Sequence, residues 1–210
     1  MTISLLAAQA SNLNTLTEQN RLRRLQARSG IDFASNDYLG LSASGLLAEA
    51  AQSALERGVA IGSGGSRLLR GNDAEHEALE AEAAAFFGVE ATLFFSSGFA
   101  ANATLLSTLP QRGDLILHDA LIHASAHDGM RLSRAQCQSV RHNDVQAFAD
   151  ALSEWRMSGQ AGTPWIIVES LYSMDGDQAP LAALADLAEQ HRAMLIIDEA
   201  HASGVFGAQG

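Results

Sequence analysis

The sequence predicts an α/β fold whose mainly parallel sheet is covered by helices on both faces. Short β-rich runs recur along the second half of the chain with helical stretches between them, at residues 91–95, 114–119, 138–142, 165–170 and 194–198. These runs are also largely apolar, which is typical of strands that are buried on both faces. Because ligands of such sheets bind beyond the carboxyl ends of the strands, the residues that follow each run are the candidates for function.

The first ninety residues predict helices and loops. Residues 1–28 are predicted to be helical, and residues 31–40 to form a short strand that runs into a turn. Residues 44–58 and 73–88 each combine a polar start, apolar residues at helical spacing and a glycine stop, which predicts two capped helices. The segment between them, residues 61–72, is rich in glycine and predicts a loop.

Two parts of unequal size follow from this pattern. We expect an N-terminal helical segment over residues 1–40 and a partial large domain over residues 41–210. The chain stops at Gly210, directly after the last predicted strand and its loop. Since nothing later in the sequence can cover that strand, we expect a fragment of a larger sheet, with an open edge that promotes aggregation.

Composition excludes several classes of function. The formal net charge of the 210 residues is -11, which opposes a nucleic-acid-binding surface. All 13 basic residues are arginine, so the chain contains no lysine. A single cysteine, Cys137, excludes a disulfide within the chain and suits a reducing compartment. With no signal-peptide start and no apolar run near the roughly 18 residues of a membrane span, we expect a soluble cytoplasmic protein.

Polar residues follow three of the predicted strands. Gly98 and Phe99 lie where a strand gives way to a helix, and the free N–H groups of such a turn bind phosphate; a plain helix cap is the alternative. His123, near the end of another run, can stack on a flat ring or relay a proton, unless it is an ordinary structural histidine. Ser173 belongs to a loop dense in hydrogen-bonding groups, which is either functional or a simple connection.

Three familiar motifs fail on inspection. His123 and His127 have the spacing of a zinc helix, but the glutamate that the motif needs is absent. The segment IGSGGSR, residues 61–67, breaks the dinucleotide fingerprint and follows a helix instead of a strand. The letters DEAH at residues 198–201 occur in helicases, but a phosphate loop needs a lysine, and this chain has none.

The carboxylate of Asp198 favours a different chemistry. At the end of an apolar strand, a carboxylate can pair with a protonated ring nitrogen and raise the pKa of that nitrogen. A pyridinium of this kind makes pyridoxal 5'-phosphate an electron sink. His201 can then reach the phenolic oxygen of the ring, His123 can cover its face, and the turn at Gly98 can hold its phosphate. Several weak motifs therefore converge on one ligand.

From residue 35 onward the chain resembles the α-oxoamine synthases, a fold-type-I family that depends on pyridoxal phosphate. The motifs SNDYLGL, GSGGSR, SSGFAAN, HAS, RHND, SMDGD and DEAH occur here in the family's order. Members condense an amino acid with an acyl thioester and release carbon dioxide. The motifs are most similar to the branch that joins L-alanine to a pimeloyl thioester, carried by coenzyme A or a carrier protein, in biotin biosynthesis.

The resemblance also implies roles for individual residues. It implies an aminotransferase-like large domain and a homodimer with the site at its interface. It also implies that Gly98 and Phe99 bind the cofactor phosphate and that His123 stacks on the ring face. The ring oxygen would contact Ser173 and His201, and the ring nitrogen would contact Asp198. His123, Asp198 and His201 are the catalytic candidates. Arg23 is the choice for binding the substrate carboxylate, with Arg21 and Arg24 as close alternatives.

Two departures from the family's pattern limit these expectations. Ser203 stands where the family usually has threonine or valine, which is a mild change. The family's Schiff-base lysine would lie beyond Gly210, as would the C-terminal small domain, so we expect the 210-residue chain to be inactive alone. Another α-oxoamine synthase that uses glycine or serine, and a non-catalytic relic of the fold, remain as alternatives.

Overall fold

The computed structural model describes residues 6–27 and 29–207. One compact unit ends at Asn36, and a second begins at Asp37. The first unit contains helix α1, Ala7–Glu18. Asn20 adopts a left-handed φ of 54°, a conformation that terminates helices, so the predicted helix is wrong from residue 19 to residue 27. Residues 1–5 and 28 of that prediction lie outside the described part. The expected division into residues 1–40 and 41–210 stays a prediction.

The second unit begins with turns where a strand was expected. Residues 37–40 form the predicted turn, but none of residues 31–40 pairs as a strand, so the strand part of that prediction is wrong. The carboxylate of Asp37 shapes the chain directly after this segment. It accepts hydrogen bonds from the backbone N–H groups of Leu41 at 2.8 Å and Ser42 at 3.2 Å, which bends the chain into a short 3-10 turn.

The two capped helices are confirmed. Helix α2, Gly45–Glu56, begins after Ser44, whose side chain accepts a hydrogen bond from the first turn. Helix α3, Ala74–Phe87, begins after Asp73 with a reciprocal capping box and ends at Gly88 in the left-handed conformation. Local side-chain chemistry therefore sets both ends of α3.

Glu80 of α3 explains why the predicted strand at residues 91–95 is wrong. Its carboxylate accepts two hydrogen bonds from Arg67, in a short π-helix within the glycine-rich loop, and this guanidinium holds the pKa of Glu80 at about 2. The same carboxylate accepts a bond from the Phe94 N–H at 2.8 Å, and the Glu80 carbonyl accepts one from the Thr92 hydroxyl at 2.6 Å. The segment is thus fastened to a helix and pairs with no described strand.

The remaining elements form a parallel α/β sheet, as the sequence predicted. In chain order they are α4 (Gly98–Thr108), β1 (Leu115–Asp119), α5 (Ala124–Leu132), β2 (Gln136–Val140), α6 (Val145–Met157), β3 (Pro164–Glu169), α7 (Leu181–His191) and β4 (Met194–Asp198). The strands lie in the order β2-β1-β3-β4, and every pair is parallel. The chain moves from β1 to one side and then returns to the other, so a topological switch point lies between β1 and β3.

Helices cover both faces of the central strands. Helices α4 and α5 pack on one face and α6 and α7 on the other, and every residue of β1 and β3 is buried. Fully buried side chains such as Leu117 and Ile166 each contribute roughly 1.5–3 kcal/mol. Strand β4 is only partly buried, because Met194 and Ile197 are exposed. No helix within residues 6–27 and 29–207 has the length and apolar character to cross a bilayer.

A close helix contact yields a stability prediction at Gly129 of α5. A Cβ at this position would lie 2.9 Å from the Ala103 carbonyl oxygen and 2.9 Å from the Leu106 Cβ. We expect Gly129→Ala to destabilise the fold by about 1–2 kcal/mol, because overpacking outweighs the gain in helix propensity. Gly45→Ala is the control, since a Cβ there meets only a flexible side-chain atom at 3.9 Å. Urea denaturation at one pH checks both, and equal stability of the Gly129 variant and wild type would contradict the packing argument.

Candidate active site

Three carboxylates end neighbouring strands at and beside the switch point. Asp119 ends β1, Glu169 ends β3 and Asp198 ends β4, so all three lie at the carboxyl edge of the sheet. Glu169 and Asp198 are opposite each other in the register of the β3–β4 pair. The charge of Asp198 opposes the ionisation of Glu169, so this edge suits a ligand that carries positive charge.

Asp198 is held by contacts from two directions. Its Oδ2 accepts a hydrogen bond from Asn102 Nδ2 of α4 at 2.6 Å, and its Oδ1 accepts one from the Ala200 N–H at 2.9 Å. The residue is partly exposed, and it accepts these bonds without a cationic partner among the described residues. The carboxylate is therefore oriented and still able to bind a cationic group.

The start of α4 supplies free N–H groups near this carboxylate. Ser97 caps the helix, and its hydroxyl accepts a hydrogen bond from the Ala100 N–H at 3.1 Å. Gly98 and Phe99 belong to the first turn, where N–H groups have no acceptor inside the helix. Asn102 lies four residues after Gly98, about 6 Å along the helix axis. These free N–H groups and the Asp198 carboxylate are thus joined through one turn of one helix.

His123 joins the same hydrogen-bonded chain. Asn102 Nδ2 also donates to the Ser125 hydroxyl at 3.0 Å, and Ser125 is fully buried. The Ser125 hydroxyl and N–H both lie against Nδ1 of His123, at 2.8 Å and 3.2 Å. Because Nδ1 accepts these bonds, the ring proton is on Nε2. Through Asn102 and Ser125, the structure connects His123 to Asp198.

Ser173 and His201 meet at a second feature of the edge. Both line a cavity of about 160 Å³, together with Tyr38, Leu171, Tyr172, Gly176 and Val205. The His201 Nδ1 and the Tyr38 hydroxyl share a hydrogen bond of 2.8 Å, which fixes the imidazole ring. The sequence placed these two residues after different strands, and the folded chain brings them to one cavity.

Glu169 is a site residue that the sequence reasoning missed. Only 1% of its surface is exposed, and neither carboxyl oxygen makes a hydrogen bond with a described residue. Burial, and then the charge of Asp198, raise its pKa to about 7, and the nearby N–H groups of Ser173 and His123 oppose the rise only in part. A glutamate at the end of an otherwise apolar run was the available signal.

Other predicted and missed residues stand as follows. Arg23 is exposed and follows α1 in the first unit, as do Arg21 and Arg24, so their role in binding substrate stays a prediction. Asn102 and Ser125 belong to the motifs SSGFAAN and HAS, but no sequence pattern distinguishes them from their neighbours. Among the described residues, no group of His, Cys, Asp and Glu side chains has the arrangement of a metal site.

Comparison with known proteins gives a consistent family relationship. The model of the family "aminotransferase class I and II" matches residues 28–210. An 8-amino-7-oxononanoate synthase of Chromobacterium violaceum is 46% identical over 208 residues, which cover 93% of this chain and 53% of that protein. The chain therefore spans about half the length of the curated relatives it matches.

Solved structures with the same fold include a serine palmitoyltransferase and an 8-amino-7-oxononanoate synthase. A serine palmitoyltransferase variant from S. paucimobilis, with bound PLP and myriocin, has a TM-score of 0.81 and 28% identity, and the match covers 99% of this chain and 57% of that one. An 8-amino-7-oxononanoate synthase from Francisella tularensis has a TM-score of 0.64 and 32% identity, over 80% of this chain and 44% of that one. The first of these matches covers nearly the whole chain, including the strands and helices that carry the candidate site.

Proposed function

Since this chain belongs to the class I and II aminotransferase family, we propose that the complete protein containing it is a pyridoxal-phosphate-dependent acyltransferase. One observation carries the proposal. Helix α4 begins with free N–H groups and, one turn later, holds Asp198 through Asn102. Free N–H groups bind a phosphate, and a carboxylate pairs with a protonated ring nitrogen. These two protein groups therefore suit one small molecule that has a phosphate at one end and a protonated ring nitrogen at the other.

The residues present fit the cofactor. When bound, pyridoxal phosphate supplies a ring that accepts the electron pair of a substrate carbanion. In this proposal Gly98 and Phe99 bind its phosphate through their N–H groups. Asp198 keeps the ring nitrogen protonated, and Asn102 orients the Asp198 carboxylate. His123 covers the ring face, a position that its bonds to Ser125 maintain.

The cavity beside this network suits the ring oxygen. Ser173 and His201 line it together, so either side chain can donate a hydrogen bond to an oxygen on the ring. The bond between Tyr38 and Nδ1 of His201 directs the other ring nitrogen, Nε2, away from Tyr38. We assign His201 the contact with the ring oxygen and Ser173 a supporting contact.

The remaining groups of the proposal lie partly outside this chain. The chain has no lysine, so an amine that anchors the cofactor and removes a proton from the substrate must come from elsewhere in the complete protein. Arg23 is proposed to bind the substrate carboxylate, and the complete protein to act as a homodimer. The free thiol of Cys137 is exposed, which suits the reducing cytoplasm where we place the enzyme.

The proposed reaction condenses L-alanine with a pimeloyl thioester to 8-amino-7-oxononanoate, with release of carbon dioxide and of the free thiol of the acyl carrier, as a step of biotin biosynthesis. The name of the relative with 46% identity supports this choice of substrates. A second candidate is condensation of serine or glycine with another acyl thioester. Within that candidate, the name of the serine palmitoyltransferase that shares this fold supports serine.

Product analysis separates the two candidates. The complete protein is incubated with pyridoxal phosphate, a pimeloyl thioester and, in parallel, L-alanine, L-serine or glycine, and products are identified by mass spectrometry. A pocket matched to one methyl group gives a preference of about 10- to 200-fold in kcat/KM, so alanine is expected to lead by this factor. A reaction without thioester is the control. Preference for serine or glycine selects the second candidate, and no product with any amino acid, despite bound cofactor, selects a non-catalytic relic.

A further inference from the structure

His142, just after β2, bridges two carboxylates from other parts of the sheet edge. Its Nδ1 lies 2.8 Å from Asp119 Oδ1, and its Nε2 lies 2.7 Å from Asp177 Oδ2. Ionised carboxylates only accept hydrogen bonds, so each ring nitrogen carries a proton in this arrangement. Asp119 is fully buried and is fixed further by the N–H groups of Leu121 and Asn143. The imidazolium thus connects an immobile carboxylate of β1 to Asp177.

Asn143 adds a second attachment to the same place. Its Nδ2 donates to Asp177 Oδ2 at 2.8 Å and to the Gln178 carbonyl at 3.2 Å. The left-handed φ of 54° at Asn143 turns its side chain toward Asp177, which His142 also contacts. His142 and Asn143 therefore both hold Asp177, which lies near the far end of the loop that follows β3.

That loop carries Ser173 to the candidate site. It spans residues 170–178 and is closed by an antiparallel bridge between Leu171 and Gln178. Inside it, the Tyr172 N–H donates to the Asp177 carbonyl at 2.9 Å. The buried Tyr172 ring also meets the His142 ring edge to face, with centroids 4.5 Å apart. The position of Ser173 is consequently coupled to whatever holds Asp177.

We propose that His142 is a positioning residue of the candidate site. Its imidazolium holds Asp177 and thereby sets where Ser173 lies. The part that concerns a contact of Ser173 with the cofactor rests on the proposed function, whereas the attachment of the loop does not. The titratable groups that face His142 are Asp119 from β1 and Asp177 and Tyr172 from the loop. On its own segment, the neighbouring Arg141 and Asp144 pair with each other.

The attachment is expected to weaken as pH rises. Burial lowers the pKa of His142, but the hydrogen bonds to Asp119 and Asp177 outweigh burial and raise the pKa above the usual histidine value. A group with a raised pKa in the folded state contributes its full stabilisation below the unfolded value of about 6.5, and this is lost as pH rises through the folded pKa. The loop should therefore be most ordered in mildly acidic solution.

Hydrogen–deuterium exchange on the cofactor-free complete protein tests the attachment. After correction for intrinsic rates, we expect His142→Gln to speed exchange in peptides covering residues 170–178 about tenfold at pH 6, as loss of a charge-assisted bond predicts. Wild type should approach the variant as pH rises, and peptides from β1 and β3 should be unaffected. His191→Gln, at the last residue of α7, is the control for removing a histidine. Unchanged exchange in the loop, or equal acceleration along the whole chain, would overturn the proposal.

A double-mutant cycle tests the link to the cofactor. Pyridoxal-phosphate affinity is measured for wild type, Ser173→Ala, His142→Gln and the double variant at pH 6.5. We expect His142→Gln to weaken binding severalfold and Ser173→Ala to matter less in that background, because the loop no longer presents Ser173. Additive losses would overturn the link through Ser173. If Ser173→Ala alone has no effect, the proposed role of Ser173 fails, and the exchange experiment still decides on His142.

Discussion

Replacing Asp198 with asparagine in the complete protein is expected to lower kcat/KM by about 10²–10³-fold, the usual loss when a single directed electrostatic contact is removed. Asparagine has nearly the same shape and can still accept a bond from Asn102, but it carries no charge. Without that charge, the protonated form of a ring nitrogen is no longer favoured. Steady-state rates with L-alanine and a pimeloyl thioester measure the loss, and equilibrium dialysis measures the affinity for pyridoxal phosphate.

The matched control for this experiment is Asp186→Asn. Asp186 is an exposed carboxylate on α7, so the same chemical change should leave both rate and affinity unaltered. If the Asp198 variant keeps its rate within about threefold, less than the loss of an ordinary hydrogen bond predicts, Asp198 is not the counter-ion. In that case the contact between Asn102 and Asp198 would be structural, and the observation behind the proposed function would lose its force.

The parts of the fold that the sequence predicted correctly are those with local causes. Helix α3 begins at the side chain of Asp73 and ends at Gly88 within the same short segment. Strands β1, β3 and β4 are short apolar runs between helices, and their length and spacing suffice to identify them. Strand β2 was displaced by two residues, because the polar run around it is exposed along most of its length.

The two wrongly predicted strands share a different cause. Residues 91–95 have the composition of a strand, but a strand also needs a neighbouring strand to pair with, and the composition of a segment carries no information on its partner. Here the backbone of Phe94 bonds to the side chain of Glu80, which lies 14 residues earlier. Residues 31–40 likewise pair with no described strand, and the side chain of Asp37 bonds to the N–H groups of Leu41 and Ser42 just beyond them.

The candidate site was predictable in its residue types but not in its connections. The rule that ligands bind at the carboxyl ends of parallel strands directed attention to His123, Ser173, Asp198 and His201. The bonds of Asn102 join residues that are 23 and 96 positions apart in the sequence, a distance over which no local pattern acts. Glu169 escaped notice because its unusual property is burial, which only the folded chain reveals.

That burial leads to a second large expected effect: Glu169→Gln should stabilise the cofactor-free protein above pH 7. The raised pKa of about 7 means that the folded protein keeps the proton of Glu169 while the unfolded chain, with an ordinary value of 4.5, releases it. Between these values unfolding releases a proton, so wild-type stability falls as pH rises. The variant avoids this loss, which is at most about 3 kcal/mol above pH 7.

Urea denaturation of the wild type and the Glu169→Gln variant at pH 5 and pH 8 measures the effect. The quantity compared is the difference between their free energies of unfolding at each pH. Near pH 5 the folded wild type still holds a neutral carboxyl, so most of the advantage of glutamine should be missing, and it should be complete at pH 8. Glu189→Gln, at an exposed position of α7, is the control and should show no such dependence. Because the charge of Asp198 is one cause of the raised pKa, a cationic ligand bound there should shrink the advantage. An equal stability difference at both pH values would mean that Glu169 ionises normally. The edge of the sheet would then disfavour negative charge less than the buried, unpaired carboxyl of Glu169 implies.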